Sequence, residues 1–230
     1  MLAAAEGSRE TCLFCQISGS PELDLPWYDR PLLREPGVGA AICAVGSFVP
    51  GYILVAPAQH HNSVWGMPRD LAEGFLVFVR RALQMIEDTY GPATAFEHGS
   101  CRDTERRRSA CITHSHIHIV PGSYSLSLLK LDVGFVGSLS RIEEIPASLR
   151  NDGYLMYRES GQSAHYARDV GVSQFFRRHI AKVIGRPNEW DYAVYPQWEN
   201  IEQTQKRLRG YSSRTQTRKP QLLSDGREHA

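Results

Sequence analysis

Three histidines hold alternate positions near the middle of this chain: His114, His116 and His118, within CITHSHIHIVPG (residues 111–122). A strand sends successive side chains to opposite faces, so a strand here lines three titratable rings along one face. Ser115, Ile117 and Ile119 then form the other face, which can enter a core. Imidazole titrates near neutral pH and can serve as nucleophile, proton carrier or hydrogen-bond donor. On a phosphorus centre, one ring can attack to give a covalent phosphohistidine. Its neighbours can donate to phosphoryl oxygens or pass a proton to the leaving group. Spacing alone leaves open a histidine cluster that binds a transition metal, or a coincidental polar face.

A second chemical signal is Cys12-Leu13-Phe14-Cys15, in a chain with an odd total of five cysteines. MLAAAEGSRETC at the N-terminus has no hydrophobic stretch, so no signal peptide is expected and the cysteines are expected to be reduced. A Cys-x-x-Cys in that setting points to metal or redox chemistry, with two unpaired buried cysteines as the remaining option. Net charge is +1, so nothing pulls the chain toward nucleic acid or an anionic membrane. No apolar run approaches a membrane span, and the expected compartment is the cytoplasm. The apolar share of 42% suffices for a core.

The elements that must position these residues can be read from periodicity. Residues 40–45 and 52–56 are apolar runs around Phe48-Val49-Pro50-Gly51, which predicts an antiparallel pair joined by a Pro-Gly turn. Leu71, Phe75, Phe78, Val79, Leu83 and Ile86 recur at helical spacing between Pro68 and the stop signal Gly91-Pro92. Residues 93–96 and 111–120 read as strands. The polar stretch between them carries Arg106-Arg107-Arg108, either a solvated loop or a flap contacting phosphate. Further on, residues 154–158 read as a strand and residues 173–184 as a helix capped by Ser173. Asn200 reads as the cap of a last helix to about residue 209. Arg177 and Arg178 read as solvated helix arginines. Trp190, Tyr192, Tyr195 and Trp198 read as packed aromatics. Residues 1–11 look like a flexible leader and 210–230 like a disordered tail.

His114-Ser115-His116-Ile117-His118-Ile119-Val120 resembles the signature of the histidine triad (HIT) superfamily, His-φ-His-φ-His-φ-φ with φ usually apolar; Ser115 is the soft departure. CLFCQI (residues 12–17) resembles the opening of zinc-containing HIT hydrolases. PGYILVAPAQHH (residues 50–61) resembles the family's strand ending in Pro-x-x-His. The resemblance spans roughly residues 12–122. It implies an α+β fold, an antiparallel sheet of about five strands with one long helix, here carrying a C-terminal α/β extension. The implied organisation is a catalytic domain over 12–125 with an extension over 126–209 packed on it. SQFFRRHIAKVIGRPNEWDY (residues 173–192) resembles a segment of longer bacterial HIT-like proteins, some related to nucleotidyltransferases, and implies no residue roles.

The resemblance makes His116 the nucleophile, His118 a phosphate contact and His114 the third catalytic histidine. It also implies a closed, structural zinc held by Cys12, Cys15, His60 and His114, with His61 a competitor for the place of His60. His98, Cys111, His60 and Arg108 are the candidate substrate-binding residues: Cys111 as pocket wall, Arg108 in the flap reading, and His98 either as a phosphate or leaving-group contact or as a structural residue. Three departures stand out. Ala44 replaces the usual acidic ribose contact. Ser109-Ala110-Cys111 replaces the usual Gly-Gln-Ser/Thr. Phe96-Glu97-His98-Gly99 replaces the usual Asn-Gly approach. The implied activity is hydrolysis of a nucleoside 5′-phosphate from an amine, acyl or phosphate group through a nucleotidyl-histidine. The alternatives are a nucleotidyltransferase using phosphate or a sugar phosphate, and a non-catalytic nucleotide-binding module. A nucleotide substrate and a homodimer are expected as partners, with neither nucleic acid nor membrane.

Overall fold

Two apolar runs form neighbouring inner strands of the sheet. Gly39–Cys43 (β2) and Ile53–Pro57 (β3) are buried along their whole length and pair antiparallel, with Ala41 opposite Val55. Burial on both faces explains why they read as continuous apolar runs rather than alternating ones. Gly51, in the turn between them, has φ 91°, the left-handed region that a Pro-Gly turn requires. A Cβ there would also lie 2.7 Å from the side chains of Pro121 and Tyr90, so only glycine fits.

The computed structural model describes residues 12–19, 24–99, 114–138, 153–209 and 211. Among these, eight strands make one antiparallel sheet in the order β1-β2-β3-β5-β4-β7-β8-β6. The remaining strands are Leu33–Glu35 (β1), Ala93–Gly99 (β4), Ile117–Pro121 (β5), Val133–Gly137 (β6), Tyr154–Arg158 (β7) and Ala164–Arg168 (β8). This exceeds the expected five or so. The added strands lack a clean alternation: β1 is only three residues, β6 is mostly exposed, and β8 mixes Ala, His, Tyr and Arg. β7 pairs directly with β4, Phe96 opposite Tyr157, so residues after 126 continue the same sheet. The expected leader (1–11) and nearly all of the expected tail (210–230) lie outside the described residues. Tyr211 is described, and it donates to Asp88 at 2.8 Å.

Among the described residues the α-helices are Leu13–Gly19 (α1), Arg69–Tyr90 (α2), Phe175–Val183 (α3) and Trp198–Leu208 (α4). α2 matches its predicted span. Its Phe75, Phe78, Val79 and Ile86 pack on Ile53, Val55, Ala95, Ile117 and Ile119, one face of the sheet. Each such buried side chain contributes about 1.5–3 kcal/mol. α1 and α3 cover the opposite face, where Phe14, Ile17, Phe176 and Ile180 meet Leu54, Ala56, Phe96 and Tyr157. No described helix is long and apolar enough to cross a membrane.

Three local expectations are corrected. β5 begins at Ile117, so His114 and His116 precede the strand that was expected to carry the whole triad. α3 starts from Gln174 at φ 54° with no side-chain cap, not from Ser173. α4 starts from Gln197 at φ 58°, and Asn200 lies inside it, donating to Ser47 O at 2.7 Å. At the starts of α3 and α4 a left-handed residue turns the chain, and neither start has a side-chain cap.

Glu97 faces the α2 side and is 1% exposed. Its carboxylate accepts from Tyr154 Oη at 2.5 Å and Val64 N at 2.9 Å. Burial pushes it up from 4.5 to about 7 despite these two bonds. The folded chain therefore keeps a proton that the unfolded chain releases above about pH 4.5. The associated stability is fully present below that pH and is lost as pH rises toward 7, of order 3 kcal/mol in all. Calorimetric melting of Glu97→Gln beside wild type should give a difference in Tm that moves by several degrees in the variant's favour from pH 5 to pH 8. A constant difference would rule out a titrating Glu97.

Candidate metal centre and histidine cluster

Cys12 and Cys15 sit one turn apart at the start of α1, where Gln16 N donates to Cys12 O at 3.0 Å. His60 follows β3, and His114 precedes β5 beside the end of β3. The ligand atoms of these four residues lie within 4.8 Å of one another, and the group could hold a metal ion. Cys12 Sγ is 3.3 Å from His114 Nδ1. Cys15 Sγ is 3.5 Å from both His114 Nδ1 and His60 Nδ1. His114 Nε2 is 2.9 Å from Pro57 O, and a carbonyl only accepts, so Nε2 carries the proton and Nδ1 is bare toward the sulfurs. Burial, with smaller pushes from His60, His116 and His61, lowers His114 to about 4, keeping it a neutral ligand. His61 contributes its backbone to this region: its carbonyl accepts from Ser115 N at 2.6 Å.

The other two triad rings lie beside this centre. Phe14 contacts both His114 (ring centroids 5.3 Å apart) and His116 (5.6 Å), and His116 is 4.8 Å from His118. His116 Nδ1 is 2.9 Å from the carbonyl of His114, so Nδ1 carries the proton and Nε2 keeps its lone pair. Burial holds His116 below the ordinary imidazole range, and the charge of His98 adds to this. His118 stacks on its cross-strand partner Phe96, with centroids 4.5 Å apart and planes 11° apart. Burial, then the charges of His116, Arg177 and His98, hold His118 well below its ordinary value. The three rings thus gather neutral nitrogen donors and acceptors on one side of the sheet.

His98 joins this group. Its Nε2 is 2.9 Å from Asp169 Oδ1, which also accepts from Gly171 N at 2.9 Å. Cys111 and Arg108, like the whole Arg106–Arg108 run, lie outside the described residues. Ala44 is 1% exposed and packs in the apolar cluster with Phe48 and Tyr52, so it offers a ligand no polar group.

Sequence reasoning missed three neighbours of the cluster. Asp169 follows β8 and carries no local signal. Tyr52 sits at the head of β3, where it reads as one more apolar strand residue. Arg177 is 5% exposed, not solvated. Its signal was available, since it lies three, four and seven residues before Ile180, Ala181 and Ile184, on the apolar stripe of α3. Arg178 matches the solvated reading and lies over the Trp190 ring.

No family model matches the chain, and no curated protein matches it.

Proposed function

We propose that this chain is a nucleotidyl-transferring hydrolase of the histidine-triad kind, acting through a covalent nucleotidyl-His116. The observation that carries this reading is the state of His116: its Nδ1–H is tied to the His114 carbonyl, which leaves the Nε2 lone pair free, with the His118 ring 4.8 Å away between centroids. Burial keeps that ring neutral, as a nucleophile must be. The motif order, Cys-x-x-Cys, then Pro-x-x-His, then the triad, supports a nucleoside 5′-phosphate joined to an amine, acyl or phosphate group as the substrate class.

In the first step His116 Nε2 attacks the α-phosphorus. A P–N bond forms, the bond to the leaving group breaks, and the leaving group departs with that electron pair and takes up a proton. Water then attacks phosphorus from the opposite side. The P–N bond breaks, the nucleoside monophosphate leaves, and His116 regains its lone pair while the water proton is released. His118 donates to a phosphoryl oxygen during both steps.

For the four-residue cluster we infer zinc. A tetrahedral ion at about 2.3 Å from sulfur and 2.0–2.1 Å from nitrogen sets its ligand atoms roughly 3.3–3.8 Å apart, and the three Cys–His spacings fall in that range. Two thiolates and two imidazoles would fill its coordination sphere, so the metal would be structural. It would fix His114, and through its carbonyl the tautomer of His116.

The test is intact-protein mass spectrometry after brief mixing with nucleoside phosphoramidates, dinucleoside polyphosphates and nucleotide sugars. The expected result is a transient nucleoside-monophosphate adduct on wild type that is missing from His116→Gly. Absence of both adduct and product with every substrate would overturn the reading in favour of a binding module.

A further inference from the structure

The guanidinium of Arg177 lies buried in α3 with no carboxylate partner among the described residues. Its Nε donates to Gln174 Oε1 at 3.1 Å and Trp190 O at 2.9 Å, and its Nη2 donates to Gly46 O at 3.0 Å. The Phe48 ring faces its Cζ at 4.5 Å. A buried cation is expensive unless every N–H is directed at an acceptor, and here carbonyls and a ring face satisfy most of it. The remaining nitrogen, Nη1, donates to Tyr52 Oη at 3.2 Å. On its other side Tyr52 Oη is 2.7 Å from His118 Nδ1.

Proton inventory fixes the direction of this chain. Guanidinium has donors only, so the Tyr52 oxygen accepts from Arg177. Among the described residues the phenolic proton has no acceptor other than His118, so it is directed there and His118 Nδ1 accepts it. Burial raises the phenol above its ordinary range, outweighing Arg177, so the O–H persists. With Nδ1 accepting, the one proton of neutral His118 sits on Nε2.

We propose that α3 is a working part of the histidine site: Arg177, acting through Tyr52, locks His118 as an Nε2–H donor aimed at a phosphoryl oxygen. Arg177 and Tyr52 are positioning residues, and the element that supplies the relay belongs to the C-terminal extension. His116 and His118 are thereby held in opposite tautomers. The first has a bare Nε2 that attacks, and the second a protonated Nε2 that donates. Two adjacent imidazoles would otherwise be interchangeable. The functional consequence rests on the reading of His116 above; the tautomer does not.

The experiment joins 15N NMR of the histidine rings at pH 7 with steady-state kinetics, on wild type, Tyr52→Phe, Arg177→Met and Arg177→Lys. In wild type His118 should carry its proton on Nε2, with Nδ1 showing the shift of a hydrogen-bond acceptor. Tyr52→Phe should remove that shift and lower kcat about 10–100-fold, the range typical of outer-shell partners, with KM little changed. Arg177→Met should act in the same direction, and Arg177→Lys, which keeps a charged donor, should recover part of the loss. Tyr52→Phe deletes one oxygen and carries the test alone if Arg177→Met does not fold. A wild-type His118 protonated on Nδ1, or Tyr52→Phe with unchanged kcat, would overturn the relay. An intact relay in a protein that forms no adduct would instead overturn the hydrolase reading and leave the relay standing.

Discussion

His116→Ala should lower turnover by about 10⁴-fold or more while product nucleotide still binds within a few-fold of wild type. The expected size follows from the division of labour among the rings. Of the three triad rings only His116 presents a bare Nε2; His114 keeps its proton on Nε2 and directs its bare Nδ1 at the two sulfurs, and His118 keeps its proton on Nε2 in the proposed relay. No neighbouring ring can take over the covalent step, so the loss is that of a nucleophile, not of one hydrogen bond. Binding survives because donors to phosphate remain. The measurement pairs single-turnover kinetics with calorimetric titration of nucleoside monophosphate. A tenfold loss would point to direct attack by water and sink the covalent route. His116 is only half-buried, so folding should be little disturbed.

Cys15→Ser should abolish metal binding at the proposed zinc centre and lower Tm by about 6–24 °C. α1 has only two turns and its anchors are Phe14 (5% exposed) and Ile17 (1% exposed). Cys15 lies between them and touches both His60 and His114. Without the ion, the short helix has no covalent-strength tie to the sheet. Releasing it exposes two side chains at about 1.5–3 kcal/mol each. At roughly 2–4 °C per kcal/mol for a chain of this size, the shift is about 6–24 °C. Elemental analysis should find one metal per wild-type chain and almost none in the variant, and a chelator should move wild type toward the variant's Tm. A chain with all its cysteines that holds no metal when grown with zinc, and whose melting ignores chelator, would rule the centre out.

The four residues of the cluster were legible through the resemblance, whose motifs each stand beside a local signal: a Cys-x-x-Cys, a strand ended by Pro57, and an alternating histidine run. α2 was legible because Gly91 and the 3.6-residue stripe agree. The helix starts at Gln174 and Gln197 were not, since nothing in a glutamine predicts positive φ. Gln174 is held by Arg177 and Gln197 by Glu189 at 2.7 Å, contacts that exist only after folding. β1, β6 and β8 were missed because pairing, not composition, makes them strands. Asp169 was beyond reach for the same reason: its partner His98 is 71 residues away.

The pairing of β4 with β7 bears on how this chain can be cut. The division at residue 125 marks the end of the recognisable motifs, but not a boundary in the backbone. A fragment of residues 12–125 would leave β4 with five residues, Ala95 to Gly99, stripped of their partners on β7. That bare edge, next to the histidine cluster, is a template for intermolecular strand addition. Such a fragment should self-associate rather than behave as a miniature of the whole, and shortening the protein for expression should proceed from its two termini.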